Sequence, residues 1–117
     1  MNKYKELKVW QNGVELTKKV YQLTATFPTR EQYGLISQMN RSAVSIPSNI
    51  AEGAGRNSNG EFKQFLGIAV GSLFELETQL IISKELLFIK DITVFEEISK
   101  VITSLLNMLF KLKLSIK

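Results

Sequence analysis

Residues 45 to 56 read SIPSNIAEGAGR, and they place a proline inside a helical pattern, followed by two closely spaced glycines and an arginine. In a helix interior, Pro47 removes one backbone hydrogen bond and crowds the carbonyl of Ala43. We therefore expect a kink or a restart of the helix at Pro47, with neighbouring serine and asparagine side chains bonding the freed backbone groups.

The glycines after the proline fit a turn better than a phosphate-binding loop. The EGAGR segment lacks the third glycine of a dinucleotide fingerprint and the lysine of a phosphate loop, and no strand precedes it. A helix C-cap at Gly53 or Gly55 explains the glycines without a ligand. Ser58 and Glu61 then have the spacing of a capping box that opens the next helix. Arg56 lies on this turn without an evident structural role.

On both sides of this turn, apolar residues recur at helical spacing and predict four amphipathic helices. Thr29 is the expected cap of the second helix, the third runs from about residue 58 to 88, and the fourth begins at Asp91 or Thr93. The four predicted stripes are Val9, Gly13, Leu16, Val20, Leu23 and Phe27; Tyr33, Ile36, Met39, Ala43, Ile46 and Ile50; Phe62, Leu66, Ala69, Leu73, Leu76, Leu80 and Leu87; and Val94, Ile98, Val101, Leu105, Met108 and Leu112. With no strand period and no long linker, we predict one all-α domain over 1–117, an antiparallel up-down-up-down four-helix bundle.

Two helices carry apolar residues beyond the stripe that one bundle core needs. They are Phe95, Ile102, Leu109 and Ile116 on the fourth helix, and Phe65, Ile68, Phe74, Ile81 and Ile82 on the third. Burial against other subunits favours a homo-oligomer. A wide core stripe is the alternative explanation.

Composition narrows the function classes. The 117 residues include neither cysteine nor histidine, which excludes disulfides, zinc-thiolate sites, cysteine catalysis and the commonest general base. We expect no cofactor, no metal site and no enzymatic activity. The charged start MNKYKELKVW has no apolar run after it, and no stretch reaches roughly 18 uninterrupted apolar residues. We expect a soluble cytoplasmic protein that does not engage a membrane.

Charge is distributed unevenly along the chain, whose net charge is +4. Residues 1–20 carry +3, 21–60 carry +1, 61–97 carry −4 and 98–117 carry +4. In an up-down-up-down bundle, the two termini and the second turn meet at one end. This predicted basic end comprises Lys3, Lys5, Lys8, Arg56, Lys63, Lys111, Lys113 and Lys117. Such a surface suits a phosphate backbone, although lysines at chain ends also solubilise a protein and favour a helix C-terminus.

From LKVWQNGVEL through GSLFELETQL, about residues 5 to 90, the chain resembles the bacterial four-helix bundle proteins encoded in ribosomal RNA intervening sequences. The motifs that carry the resemblance are WQ, SQ-x-x-R-x-A-x-S-I-P-x-N-I-A-E-G, EF-x-x-FL and GSL-x-ELETQL, whereas the fourth helix matches only in its pattern. The resemblance implies a ring, commonly a pentamer. It also implies a relationship to the accessory variability protein of diversity-generating retroelements, a basic pentamer that engages nucleic acid and a reverse transcriptase.

The resemblance marks particular positions in this chain. These are Arg41, Asn49, Glu52, Gly53, Arg56, Glu61, Glu75, Glu77 and Gln79. Asn40 departs from the family, where many relatives have a second basic residue beside the arginine, and this weakens a nucleic-acid surface on the second helix. Glu75 and Glu77 point to different helix faces, so they form no carboxylate pair. Gly67 and Gly71, four apart, permit close helix contact.

The sequence as a whole predicts a non-enzymatic, ring-forming accessory protein that binds RNA or DNA through its backbone. The predicted binding residues are Lys3, Lys5, Lys8, Arg41, Arg56, Lys63, Lys111, Lys113 and Lys117. The alternative is an oligomeric scaffold that docks another protein, such as a polymerase, without affinity for nucleic acid.

Overall fold

The computed structural model describes residues 3–117, which form four α-helices and, within that range, no strand. The helices are α1 (Lys8–Thr24), α2 (Leu35–Ala54), α3 (Asn59–Glu85) and α4 (Ile92–Ser115). Short 3₁₀ helices occupy Tyr4–Glu6 and Thr29–Glu31. The prediction of an all-α chain with four helices is confirmed.

The core lies between the helices and is built from the predicted stripes. α1 and α3 each pack against both α2 and α4. Leu16 of α1, Ile46 of α2, Leu73 of α3 and Leu105 of α4 are all fully buried. Fully burying one such side chain contributes about 1.5–3 kcal/mol, so the four apolar stripes supply the main driving force for folding.

α2 continues through Pro47 without restarting, because α1 supplies the hydrogen bond that the proline removes. The carbonyl of Ala43 would normally accept from the backbone N–H of residue 47, which proline lacks. Instead, the Thr17 hydroxyl of α1 lies 3.0 Å from that oxygen and 2.8 Å from the Gly13 carbonyl of its own helix, so the two carbonyls share its one proton. Gly13 allows this approach, since a Cβ at its position would lie 3.3 Å from Pro47 Cβ. The expectation that a neighbouring serine or asparagine bonds the freed carbonyl is wrong, because Asn49 Nδ2 donates at 2.8 Å to the Ser45 carbonyl, which Pro47 does not free.

Most predicted helix ends are confirmed, and the start of α2 is not. Ser58 Oγ accepts from the Glu61 N–H at 3.2 Å, Asp91 accepts from the Thr93 N–H at 2.9 Å, and Gly55 is the C-cap of α2. Thr29, however, lies in a 3₁₀ helix rather than capping α2. The carboxylate of Glu31 replaces it by accepting from the Leu35 N–H at 3.1 Å.

Two residues of the predicted stripes lie outside the core. Tyr33 is 90% exposed because it precedes the first turn of α2. Leu87 is 76% exposed and has a φ of 64°, a left-handed conformation that is rare for leucine. This reversal turns Phe88 inward instead, where its ring lies 5.7 Å from that of Phe27.

The extra apolar rows have different fates in α3 and α4. On α4, Ile102 and Leu109 are fully buried inside this chain, so the expectation that this row packs against other subunits is wrong and the wide-stripe alternative holds. Burial occurs because α4 packs against both α1 and α3 and therefore buries a broad face. On α3, Ile68, Phe74, Ile81 and Ile82 remain 43–48% exposed. We call these four residues the α3 apolar face.

Candidate nucleic-acid interface

The lysines of the predicted basic end occupy the outer turns of the helices and the chain ends. Lys5 lies in the first 3₁₀ helix, which packs against α1 and α2, and Lys8 is the first residue of α1. Lys63 follows the N-cap of α3 by five residues. Lys111 and Lys113 lie in the last turns of α4, and Lys117 follows that helix.

Lys113 of α4 extends its side chain to the surface of α3. A Cβ built on Gly67 of α3 would lie 3.5 Å from the Lys113 ammonium nitrogen. The absence of a side chain at Gly67 therefore leaves room for the Lys113 stem to lie across α3. At Gly71 no other helix of residues 3–117 makes the expected close contact, because no atom beyond its own stretch of helix lies within 4 Å of the same construction.

The lysines of the basic end carry positive charge that the described part of the chain does not neutralise. Seven of them make no ion pair within residues 3–117, namely Lys3, Lys5, Lys8, Lys63, Lys111, Lys113 and Lys117. Lys18 and Lys19 differ, because each pairs with a glutamate: the Glu97 carboxylate lies 2.7 Å from Lys19 Nζ and raises the pKa of that lysine above its usual value. Unpaired ammonium groups remain available to phosphate oxygens.

Arg56 has a structural role, contrary to expectation. Its guanidinium lies 2.9 Å from the Glu52 carboxylate and 3.8 Å from that of Glu61, so it ties the end of α2 to the start of α3. The same group stacks 4.8 Å from the centre of the Phe65 ring. Because these partners engage Arg56, it contributes less free charge to the interface than the seven lysines do.

Arg41 lies elsewhere, in the middle of α2. It is exposed and 13 helical residues before the last residue of that helix, which at about 1.5 Å per residue corresponds to about 20 Å. No residue among those described makes an ion pair or hydrogen bond with its guanidinium. The structure therefore separates Arg41 from the rest of the predicted binding residues.

Arg41 borders a polar cleft between α2 and α3 that sequence reasoning did not find. Its volume is about 530 Å³, and Glu75 and Gln79 of α3 line its other side. The Ser42 hydroxyl donates to Glu75 Oε1 at 3.2 Å, and the Ser45 and Ser72 hydroxyls lie 2.8 Å apart. The family motif had marked Arg41, Glu75 and Gln79 separately. Only the packing of α2 on α3 shows that they share one cleft.

An exposed strip along α4 adds Lys100 to the candidate interface. It is bordered by Lys100 and Lys111, with Ser104 and Asn107 between them. The two lysines are 11 residues apart on one helix, about 16 Å. Lys100 is one of the four lysines that give residues 98–117 their charge of +4, but it lies in the first half of α4 and not at the predicted basic end.

The aromatic residues near the N-terminus pack against each other. The Tyr4 and Trp10 rings are 5.3 Å apart at 74°, an edge-to-face arrangement, and Trp10 packs against the core. Their faces are thus partly engaged by the protein itself, as expected of structural aromatics.

Two further features of residues 3–117 bear on chemistry and location. No three carboxylates come close enough together to hold a metal ion. By length and composition alone, α3 is apolar enough to cross a membrane, with a mean hydropathy of 1.5 over its most apolar stretch. Within the described structure, 44% of that stretch is buried.

Comparison with known families identifies the chain. The sequence model of the family described as 23S rRNA-intervening sequence protein matches residues 5–111. The chain belongs to this family. The match extends the motif resemblance of residues 5 to 90 through most of α4, so all four helices of this intervening-sequence family member are included. No curated protein matches the chain.

Proposed function

We propose that this intervening-sequence family member is a non-enzymatic, ring-forming accessory protein of the cytoplasm that binds RNA or DNA through phosphate contacts. The observation that carries the proposal is the set of seven lysines at the basic end without an ion-pair partner among the described residues. Contacts to phosphates supply affinity and carry no sequence information. Such binding needs no catalytic group and no metal ion.

An antiparallel, up-down-up-down arrangement would bring these lysines together. It is supported by the order of contacts between α1 and α2: Thr24 bonds Asn40 at 2.9 Å, and Thr17 bonds Ala43 at 3.0 Å. Residue numbers thus fall along α1 as they rise along α2. On the next pair, Met39 contacts Ser83 at 3.3 Å and Ser45 contacts Ser72 at 2.8 Å, again in opposite order.

Ring assembly would repeat the basic end around an axis and strengthen its positive field. The α3 apolar face supports assembly, because four large apolar side chains on one helix remain nearly half-exposed. Gly71 lies on the same helix with open space around it, so a neighbouring helix could approach closely there. The subunit number, five, comes from the family resemblance.

Binding of labelled single- and double-stranded RNA and DNA over a salt series tests the proposal. Two substitutions, Lys111→Glu and Lys113→Glu, should weaken binding and lower the slope of log K against log salt by at least about one unit. The matched control reverses Lys84 and Lys90, near the other end of α3, and should leave the slope unchanged. Absence of binding by the unmodified protein at low salt would refute the proposal.

A protein-docking scaffold is the second candidate, and the α3 apolar face favours it too. The substitution Ile82→Glu, followed by mass measurement in solution, separates the two uses of this face. Dissociation of the oligomer to monomers would indicate that copies of this chain cover the face. An unchanged mass would leave the face free for another protein and favour the scaffold.

A further inference from the structure

The cleft between α2 and α3 has no role in phosphate binding at the basic end. We call it the α2–α3 cleft, and its lining includes Tyr33, Arg41, Ser42, Ser45, Glu75 and Gln79. Its volume, about 530 Å³, falls within the range of small-ligand sites, about 300–1,000 Å³. The polar groups of its lining therefore indicate which chemical groups a ligand would need.

Gln79 leaves a buried hydrogen-bond acceptor without a partner. Its side chain is 7% exposed, and its Oε1 receives no hydrogen bond in the described structure. Because buried amide oxygens are nearly always hydrogen-bonded, this orphan in a residue that lines the cleft calls for a donor. A ligand N–H group is one that would satisfy it.

Glu75 places a second acceptor one helical turn away. It is four residues before Gln79 on α3, a spacing that puts the two Cβ atoms about 5–6 Å apart. The Ser42 hydroxyl occupies one of its oxygens at 3.2 Å, and the other carries no hydrogen bond from residues 3–117. Two neighbouring acceptors select a ligand edge that presents adjacent donors.

Two side chains at the border of the cleft indicate further properties of the ligand. The Arg41 guanidinium is unpaired, so it can contact an anion such as a phosphate. The Tyr33 side chain is 90% exposed and presents an aromatic surface on which a flat ring can stack. The ligand should combine a flat ring, adjacent N–H donors and a negative charge.

Guanine meets these requirements better than the other nucleobases. Its N1–H and N2 amino groups are adjacent donors on one edge, whereas adenine, cytosine and uracil each present only one donor group on theirs. Unpaired bases are commonly recognised by stacking together with hydrogen bonds along this edge.

We propose that the α2–α3 cleft binds the guanine base of a guanosine phosphate. Glu75 and Gln79 accept hydrogen bonds from the N1–H and N2 amino groups, the base stacks on Tyr33, and Arg41 contacts the phosphate. The guanosine phosphate is either a residue of an unpaired strand, in which case the inference rests on the nucleic-acid function proposed above, or a free nucleotide.

Calorimetric titration of the unmodified protein with mononucleotides tests the base preference without any substitution. GMP should bind more tightly than AMP, CMP or UMP by about tenfold or more, the scale of one good bidentate contact. IMP, which retains N1–H and lacks the N2 amino group, should fall between GMP and AMP. Short oligouridylates with and without one central guanosine form the second arm.

Substitutions then assign the contacts. Glu75→Gln and Gln79→Leu should remove most of the preference for guanosine, whereas Glu77→Gln, on another face of α3, should leave it intact. Arg41→Gln should weaken GMP binding and leave binding of guanosine without phosphate unchanged. Circular dichroism of each variant verifies that it is folded.

The outcomes separate the source of the ligand and the two proposals. Guanine-selective binding of free GMP that is lost in Glu75→Gln supports the cleft as a nucleotide site. The same loss seen only with the guanosine-containing strand supports recognition of a base within a strand. Equal binding of all bases in both arms, or a preference that Glu75→Gln does not alter, overturns the inference. Reversal of Lys111 and Lys113 should leave GMP binding unchanged, so failure at the basic end is distinguishable from failure at the cleft.

Discussion

Substitution of Thr17 by valine should destabilise the fold because it removes the hydrogen bond that α2 lost to its proline. Valine keeps the shape of threonine and lacks the hydroxyl, which lies 3.0 Å from the Ala43 carbonyl. Ala43 is fully buried, so water cannot replace the donor. Leaving a buried carbonyl without a partner costs about 1–2 kcal/mol.

The same reasoning predicts that the cost depends on Pro47. In a Pro47→Ala background, the restored backbone N–H can donate to the Ala43 carbonyl within the helix. Thr17→Val should then cost only about 0.5 kcal/mol, giving a coupling energy of about 1 kcal/mol between the two positions. Pro47→Ala also removes packing against Gly13. This loss is present in both proteins with alanine at position 47, so it drops out when the coupling energy is calculated.

Urea unfolding followed by circular dichroism, at one fixed protein concentration, gives the free energy of unfolding of the unmodified protein, the two single variants and the double variant. Unfolding entropy near 2.1 cal/mol/K per residue gives about 0.25 kcal/mol/K for a chain of this size, so Thr17→Val should lower Tm by about 4–8 °C. A fixed concentration is needed because assembly would stabilise the folded chain. An equal cost of Thr17→Val with proline or alanine at position 47 would refute the proposed hydrogen-bond replacement.

Two further predictions concern packing and pH. Gly53→Ala should lower the free energy of unfolding, measured in urea, by about 1–3 kcal/mol, because the new Cβ would lie 2.7 Å from Phe65 Cβ. Gly71→Ala is the matched comparison. Its Cβ would have open space around it, so the change should be neutral or stabilising through helix propensity. Equal effects of the two alanines would contradict this. Hydrogen bonds from Thr93 hold the pKa of Asp91 below its usual value, so its stabilising contribution is present above the unfolded pKa and is lost as pH falls through the folded pKa. Asp91→Asn should therefore flatten the acid side of a thermal-unfolding profile, and an unchanged profile would argue against this cap.

For the candidate sites, the sequence motifs mark individual residues but not which of them lie close together in space. Marking Arg41, Glu75 and Gln79 as family positions was within reach of the sequence, and so was the cluster of lysines at the chain ends. Their grouping was not, because residues 34 positions apart, such as Arg41 and Glu75, meet only through the register between α2 and α3. The role of Arg56 was hidden for the same reason, since its partner Phe65 becomes a neighbour only when α3 packs against α2.

Periodicity, capping residues and the glycines after Pro47 were enough to determine the number, type and approximate bounds of the helices. These features depend on interactions within a few residues, which the sequence displays directly. Only the tertiary structure decided that Ile102 and Leu109 belong to the core whereas Ile81 and Ile82 do not. The sequence shows that both helices carry surplus apolar residues, but which surplus is buried depends on how broadly a helix is covered by its neighbours. The continuity of α2 through Pro47 was likewise decided across helices, because its missing donor comes from Thr17, 26 residues before Ala43.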